Sequence, residues 1–261
     1  EEGLGTPLFE RGARQVRLTA FGEDVLSRVG DILQRVDELE DMARAAKDRL
    51  IGRLRIGVIP TIGPYLLPAI ISRLSSQHGG LDIHVRETQT SRLMQELSEG
   101  RIDTAIVALP VSEPAFTEVE LFAEDFVLVR PSADAGKPTP DREMLREMRL
   151  LLLEEGHCFR DQALSFCNIG NARPRELLDG SSLSTLVQMV GAGIGVTLIP
   201  EMAVPVETRS ADVSIARFPS PQPSRTIGMV WRRASPLTKQ LAQIAEAVQQ
   251  ASRAVGLQRG S

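Results

Sequence analysis

The chain has 261 residues, roughly 1.7 times a typical domain, which predicts two domains or one domain with an appended element. Hydrophobic residues make up 42% and charged residues 25%, an ordinary globular mix that excludes a disordered chain. A net charge of −4 excludes a basic wrapper of nucleic acid, and no run approaches the ~18 apolar residues of a membrane span.

The first residues, Glu1-Glu2-Gly3-Leu4-Gly5, have no initiator Met, no basic stretch and no apolar stretch. They do not read as a signal peptide, and the expectation is a chain cut inside a longer protein. Pro7-Leu8-Phe9-Glu10-Arg11 and Gln15-Val16-Arg17-Leu18 predict a short β-hairpin, with Arg11, Arg14 and Arg17 on or near it. Thr19 sits where a helix N-cap belongs, with Glu23 and Asp24 in the first turn. From there to Leu50 no Pro occurs, and Val25, Val29, Ile32, Val36, Leu39, Ala43, Ala46 and Leu50 recur at steps of four and three. Such a narrow seam predicts a long helix paired with a second copy. The alternative is an amphipathic helix lying on its own domain.

After Gly52 strands and helices alternate. Strands are expected at 53–59, 81–86, 102–109, 126–130, 150–153, near 175–178, at 196–199 and at 226–231. Helices are expected at 64–77, 91–99, 141–148, 158–167, 182–192 and 236–252. Repeated βαβ units imply mostly parallel sheets with helices on both faces, split into two similar lobes.

Gly191-Ala192-Gly193-Ile194-Gly195 follows a helix and precedes a strand, the reverse of a dinucleotide fingerprint, so it reads as a helix stop and turn. The three histidines, His78, His84 and His157, are scattered, and neither a metal nor a cofactor is expected. Two cysteines are too few for a secreted disulfide framework and point to a reducing cytoplasm.

Their setting is the most informative stretch of the chain. After Leu150-Leu151-Leu152-Leu153-Glu154-Glu155-Gly156-His157, Cys158 falls at the first turn of a helix, and Cys167 lies nine residues on. A helix N-terminus, an adjacent imidazole and the Arg160 guanidinium each favour thiolate, the species that attacks a peroxide oxygen and becomes sulfenic acid. Nine helical residues separate the thiols by roughly 13 Å on opposite faces, whereas a disulfide needs Cα atoms within about 7 Å. An intact helix therefore keeps them apart, and joining them requires local unfolding. The plainer reading is two buried structural cysteines.

Gly156-His157-Cys158-Phe159-Arg160-Asp161-Gln162-Ala163 with Ser165-Phe166-Cys167 resembles the redox segment of the hydrogen-peroxide-sensing LysR-type transcriptional regulators, with Phe159 in place of Leu. Ile59 to Pro68, Glu87-Thr88-Gln89-Thr90 and Arg225-Thr226-Ile227-Gly228 resemble other segments of that family. Pro7 to Arg11 and Leu18-Thr19 with Gly22 resemble the end of its winged helix. The resemblance implies an α/β effector domain of the two-lobed periplasmic-binding-protein type, preceded by a long dimerising linker helix. Residues 1–18 would be a wing remnant, 19–50 the linker, 51–123 with 228–255 lobe one, and 124–227 lobe two with the redox cysteines.

It further implies that Cys158 is the peroxidatic thiol and Cys167 the resolving one, and that Thr61 and Thr90 position peroxide. His157 and Arg160 would stabilise thiolate and leaving hydroxide, or serve only to hold the reduced fold. Arg225 is either part of that site or a solvated strand-end residue. Partners implied are promoter DNA through the base-reading domain absent before Glu1, a second copy and a likewise built tetramer, RNA polymerase and a dithiol reductant. Two rivals remain at this point: a LysR regulator that binds an organic effector between the lobes, and a thiol peroxidase.

Overall fold

The structure is a computed structural model that describes residues 1–12, 15–45, 51–167 and 178–254. A small hairpin opens it, β1 (Phe9–Arg11) antiparallel to β2 (Val16–Leu18), with Phe9 opposite Leu18. Thr19 joins the hairpin to the helix that follows. Its hydroxyl donates to the Pro7 carbonyl at 2.8 Å and accepts from the Gly22 N–H at 2.9 Å, as an N-cap does. Gly22 is required here, because a Cβ on it would lie 2.1 Å from the Leu8 carbonyl oxygen.

Helix α1 (Ala20–Ala45) is a single rod of 26 residues. Leu26, Val29, Ile32, Leu33, Val36, Leu39 and Met42 are exposed along it, with Val36 at 50% and Leu39 at 65%. The apolar seam from Val29 to Leu39 is therefore left uncovered by the described residues. Ala46 and Leu50, its last two expected members, lie outside the described residues.

Beyond α1 the described residues build one nine-stranded sheet. It opens with β3 (Gly52–Val58), α2 (Gly63–Gln77), β4 (Leu81–Glu87), α3 (Thr90–Ser98) and β5 (Thr104–Leu109), whose three strands lie in the parallel order β4-β3-β5. β6 (Phe116–Pro131) then runs unbroken for 16 residues. After it come α4 (Arg142–Glu147), β7 (Leu150–Leu153), α5 (Cys158–Phe166), β8 (Leu178–Gly180), α6 (Leu183–Gly191) and β9 (Val196–Pro200). α7 (Val204–Glu207), β10 (Val213–Ala216), β11 (Ser224–Arg232) and α8 (Thr238–Ala254) complete the described fold. The expected strand near 175–178 is described only from Leu178 onward.

The sheet is mixed, which corrects the expectation of a mostly parallel one. β7 is parallel to β8 and β9, but β6 and β11 run antiparallel to each other and to their neighbours β9, β10 and β5. β11 returns from the far end of the chain and pairs with the first half of β6 from Arg232↔Phe116 to Ser224↔Asp125. Two cores result. The first gathers Ile56, Leu66, Leu93, Ile106, Trp231 and Val248, among others. The second gathers Phe126, Leu128, Leu151, Phe159, Val187 and Ile199, among others. β6 contributes Phe122 to the first and Phe126 to the second, so one strand belongs to both.

Candidate functional site

The four leucines of β7 are buried, and their strand ends in the turn Glu154-Glu155-Gly156. Gly156 has a φ of +94°, a conformation that costs a side chain more than it costs glycine. A Cβ there would also fall 2.5 Å from the Gln89 side-chain oxygen. Gln89 in turn donates from Nε2 to the Glu155 carbonyl at 3.2 Å. This presses the turn before Cys158 against the loop that opens α3, where Thr90 is the first helical residue.

His157 is the N-cap of α5 by backbone geometry but makes no side-chain cap bond. It is buried, and burial lowers its pKa while Glu154 opposes the shift. At neutral pH it is thus a neutral imidazole, a hydrogen-bonding group rather than the cation that would draw a thiolate. Cys158 follows as the first residue of α5, half-buried and packed against the first core, although its helix belongs to the second. Cys167 caps the other end, its N–H donating to the Ala163 carbonyl at 3.1 Å. Both thiols are free. Since α5 is continuous between them, helix geometry puts their Cα atoms about 13 Å apart.

Cys167 is fully buried in the second core, and burial pushes its thiol up to about 11, with Arg142 working in the opposite direction. In the reduced protein at pH 8, iodoacetamide is expected to label Cys158 at least about tenfold faster than Cys167. Peptide mass spectrometry reads the ratio, and equal labelling would mean that the apolar wall around Cys167 opens freely. The raised value also sets a pH trend. The folded protein holds this thiol protonated, so stability present below the ordinary value of 9.0 is lost as pH rises toward about 11.

Arg225 lies on β11 and is not a solvated strand-end residue. Its side chain is fully buried, with Nε 2.9 Å and Nη2 2.8 Å from the Glu124 carboxylate. Nη1 donates to Thr61 Oγ1 at 2.8 Å and Nη2 to the Thr61 carbonyl at 3.1 Å. The guanidinium carbon also sits 5.3 Å from the centre of the Phe159 ring, one residue after Cys158. Glu124 further accepts from the Met202 N–H at 3.1 Å. Burial pushes its carboxyl up, opposed by Arg225 and by that N–H.

Arg160 is committed elsewhere. Its Nη1 donates to the Leu153 carbonyl at 2.7 Å and to Asp179 Oδ1 at 2.5 Å, fastening the first turn of α5 to the ends of β7 and β8. Thr90 Oγ1 is buried with no hydrogen-bond partner among the described residues, and so is Gln162 Oε1. Gln162 follows Cys158 by four residues and shares its helix face. That four-residue spacing is the signal in the sequence that marks it. A second polar chain, Tyr65 donating to Glu207 at 2.6 Å and Ser184 to the same carboxylate, joins α2 to α6 and α7. Burial, with Glu207 beside it, raises the Tyr65 phenol well above its ordinary value. Glu124, Tyr65 and Glu207 were not singled out from the sequence, because each owes its setting to a partner far along the chain.

Chemically, the arrangement offers one half-buried thiol at a helix N-terminus and a second thiol enclosed in an apolar core. Residues 47–253 match the family described as the LysR substrate binding domain. The chain is 41% identical over 257 residues to a probable hydrogen peroxide-inducible genes activator of Streptomyces viridosporus, covering 97% of this chain and 82% of that one. It is 40% identical over 253 residues to the DNA-binding transcriptional dual regulator OxyR of Escherichia coli K12, covering 95% and 82%. Among solved structures it is similar to a cysteine-to-serine OxyR mutant of Corynebacterium glutamicum bound to H2O2. There the TM-score is 0.77 with 35% identity, over 97% of this chain and 81% of that one. A full-length cysteine-to-aspartate OxyR from Pseudomonas aeruginosa gives a TM-score of 0.71 with 32% identity, over 95% and 86%.

Proposed function

The chain belongs to the LysR family and to its hydrogen-peroxide-responsive transcription regulators, and from that premise we propose that Cys158 and Cys167 are its sensing pair. Cys158 thiolate attacks one peroxide oxygen, forming Cys158 sulfenic acid and releasing hydroxide. Cys167 then displaces the sulfenic oxygen as water, leaving an intramolecular disulfide that a dithiol reductant later opens. The observation that carries the reading is the placement of the two free thiols at opposite ends of one helix, the first half-exposed and the second sealed. The segment between them has to refold before the bond can form.

In this reading Thr61 and Thr90 hold peroxide by their hydroxyls. Arg225 already donates to Thr61 Oγ1, which leaves that hydroxyl hydrogen free to point at a peroxide oxygen. The buried, unpartnered Thr90 hydroxyl gains the partner it lacks. Neutral His157 donates a hydrogen bond to the departing hydroxide, which takes its proton from water, and Arg160 holds the reduced helix in place. Lobe one comprises 51–123 with 228–255 and lobe two 124–227, a division supported by the two separate cores. Promoter DNA is bound through a winged helix whose end residues 1–18 represent, and RNA polymerase responds to the refolded state.

Mass spectrometry after one equivalent of peroxide tests the chemistry. The wild type is expected to lose two hydrogens, Cys167→Ser to gain one oxygen at Cys158, and Cys158→Ser to stay unchanged. Oxidation of Cys158→Ser at the same rate as wild type would discard the reading. An organic effector that binds while both thiols stay reduced under peroxide would favour the effector-binding alternative.

The exposed seam of α1 pairs two copies, and contacts between effector domains extend the dimer to a tetramer. Val36→Asp or Leu39→Asp buries an unpaired charge at that seam, which costs several kcal/mol, so association in sedimentation experiments is expected to weaken sharply. Unchanged assembly in both variants would move the interface elsewhere.

A further inference from the structure

Phe159, the second residue of the sensing helix, also meets the Arg225 guanidinium that holds Thr61. Its ring is buried, edge-on to Phe126 with centroids 4.8 Å apart and an interplanar angle of 71°. Its face lies beneath the Arg225 guanidinium at 5.3 Å. Arg225 is held in place independently of the ring, by its bonds to Glu124 and Thr61. The cation is desolvated, its side chain having no exposed surface, which is the setting in which a cation–π contact is strongest. Phe159 is the second residue of α5, so a path that brings Cys167 to Cys158 by opening the first turn of that helix has to lift its ring from these partners.

We propose that Phe159 is the positioning residue that sets the rate of disulfide resolution, by anchoring the reduced sensing helix through its ring to the buried Arg225 cation. The inference rests on the sulfenic acid and disulfide chemistry proposed above. In that chemistry the Cys158 S–O bond breaks, the Cys158–Cys167 S–S bond forms, and the oxygen leaves as water with the Cys167 proton. Peroxide is the only oxidant, and Phe159 itself undergoes no reaction. It holds the conformation that must be left. The ring loses its cation and its aromatic partner on refolding, so its contribution falls on the resolution step and spares the attack on peroxide.

The test measures the two steps separately in the full protein: sulfenic acid formation by trapping in a Cys167→Ser background, and disulfide formation by quenched-flow mass spectrometry. Phe159→Leu is expected to speed resolution about tenfold, equivalent to about 1.4 kcal/mol, while sulfenic acid formation stays within about twofold. Ring substitution by mono-, di- and trifluorophenylalanine at position 159 keeps the shape and progressively weakens the ring face, so resolution is expected to quicken in step with fluorine count. A merely space-filling side chain would leave the fluorinated series flat, and that result overturns the proposal. So does a Phe159→Leu protein in which both steps move together. If the wild type forms no Cys158–Cys167 disulfide at all, the underlying reading fails instead, and the mass of the oxidised wild type shows which has happened.

Discussion

Amide exchange in Arg160 to Phe166 is expected to accelerate at least about a hundredfold when the protein passes from the dithiol to the disulfide form. The reduced helix spans Cys158–Phe166 without a break and is capped at Cys167, so its N–H groups are held by carbonyls one turn earlier. Cα atoms held about 13 Å apart cannot meet the disulfide requirement of less than about 7 Å while those bonds persist. Hydrogen-exchange mass spectrometry on the oxidised wild type reads the loss directly. Cys167→Ser treated with the same peroxide serves as the control, and its helix is expected to remain protected because sulfenic acid alone demands no closure. Full protection in the disulfide form would show that the helix moves as a body.

Arg225→Met is expected to lower the unfolding free energy by about 3–5 kcal/mol, the scale on which breaking one side of a buried ion pair acts. The loss comes chiefly from Glu124, left buried and facing only the Met202 N–H. Urea unfolding of the reduced protein measures it, and Arg225→Met/Glu124→Leu is expected to recover most of it. The pH trend follows from the same carboxyl. Burial already raises its pKa above 4.5, and without the guanidinium the rise is larger. A group with a raised folded pKa contributes its stability below its unfolded value and loses it as pH climbs through the folded one. The deficit of the single variant is therefore smallest in acid below about pH 4.5 and deepens toward neutrality. A loss under about 1 kcal/mol at pH 7 would mean that this pair organises nothing.

Much of this fold is written in local pattern. The alternation of Leu81 to Arg86, the apolar run at Leu150 to Leu153 and the Ser182 cap before α6 each declare their element without outside help. The first half of β6 is different. Thr117, Glu118, Glu120, Glu124 and Asp125 give it the look of a loop, and it is a strand because β11, a hundred residues later, supplies its hydrogen bonds. The same separation hid Glu124, whose meaning depends on Arg225. The cysteines were legible because their spacing and flanking residues are local. Arg160 was legible only in part: proximity in sequence suggested a charge for the thiol, whereas the folded chain spends that charge on Leu153 and Asp179. Weak, short elements such as β10 and α7 carry no periodicity long enough to detect.

The unbroken run of β6 through both cores has a mechanical consequence. Two bodies joined by a floppy tether can drift apart, but these share a ladder in which β6 and β11 are hydrogen-bonded from Phe116 to Asp125. Such a ribbon resists stretching and sliding along its length while yielding to rotation about its own axis. Its ladder is locally irregular at Ile227/Gly228, where a Cβ on Gly228 would come within 2.2 Å of the Leu109 side chain. A displacement at the second core is therefore expected to reach the first more readily as a rotation than as a separation.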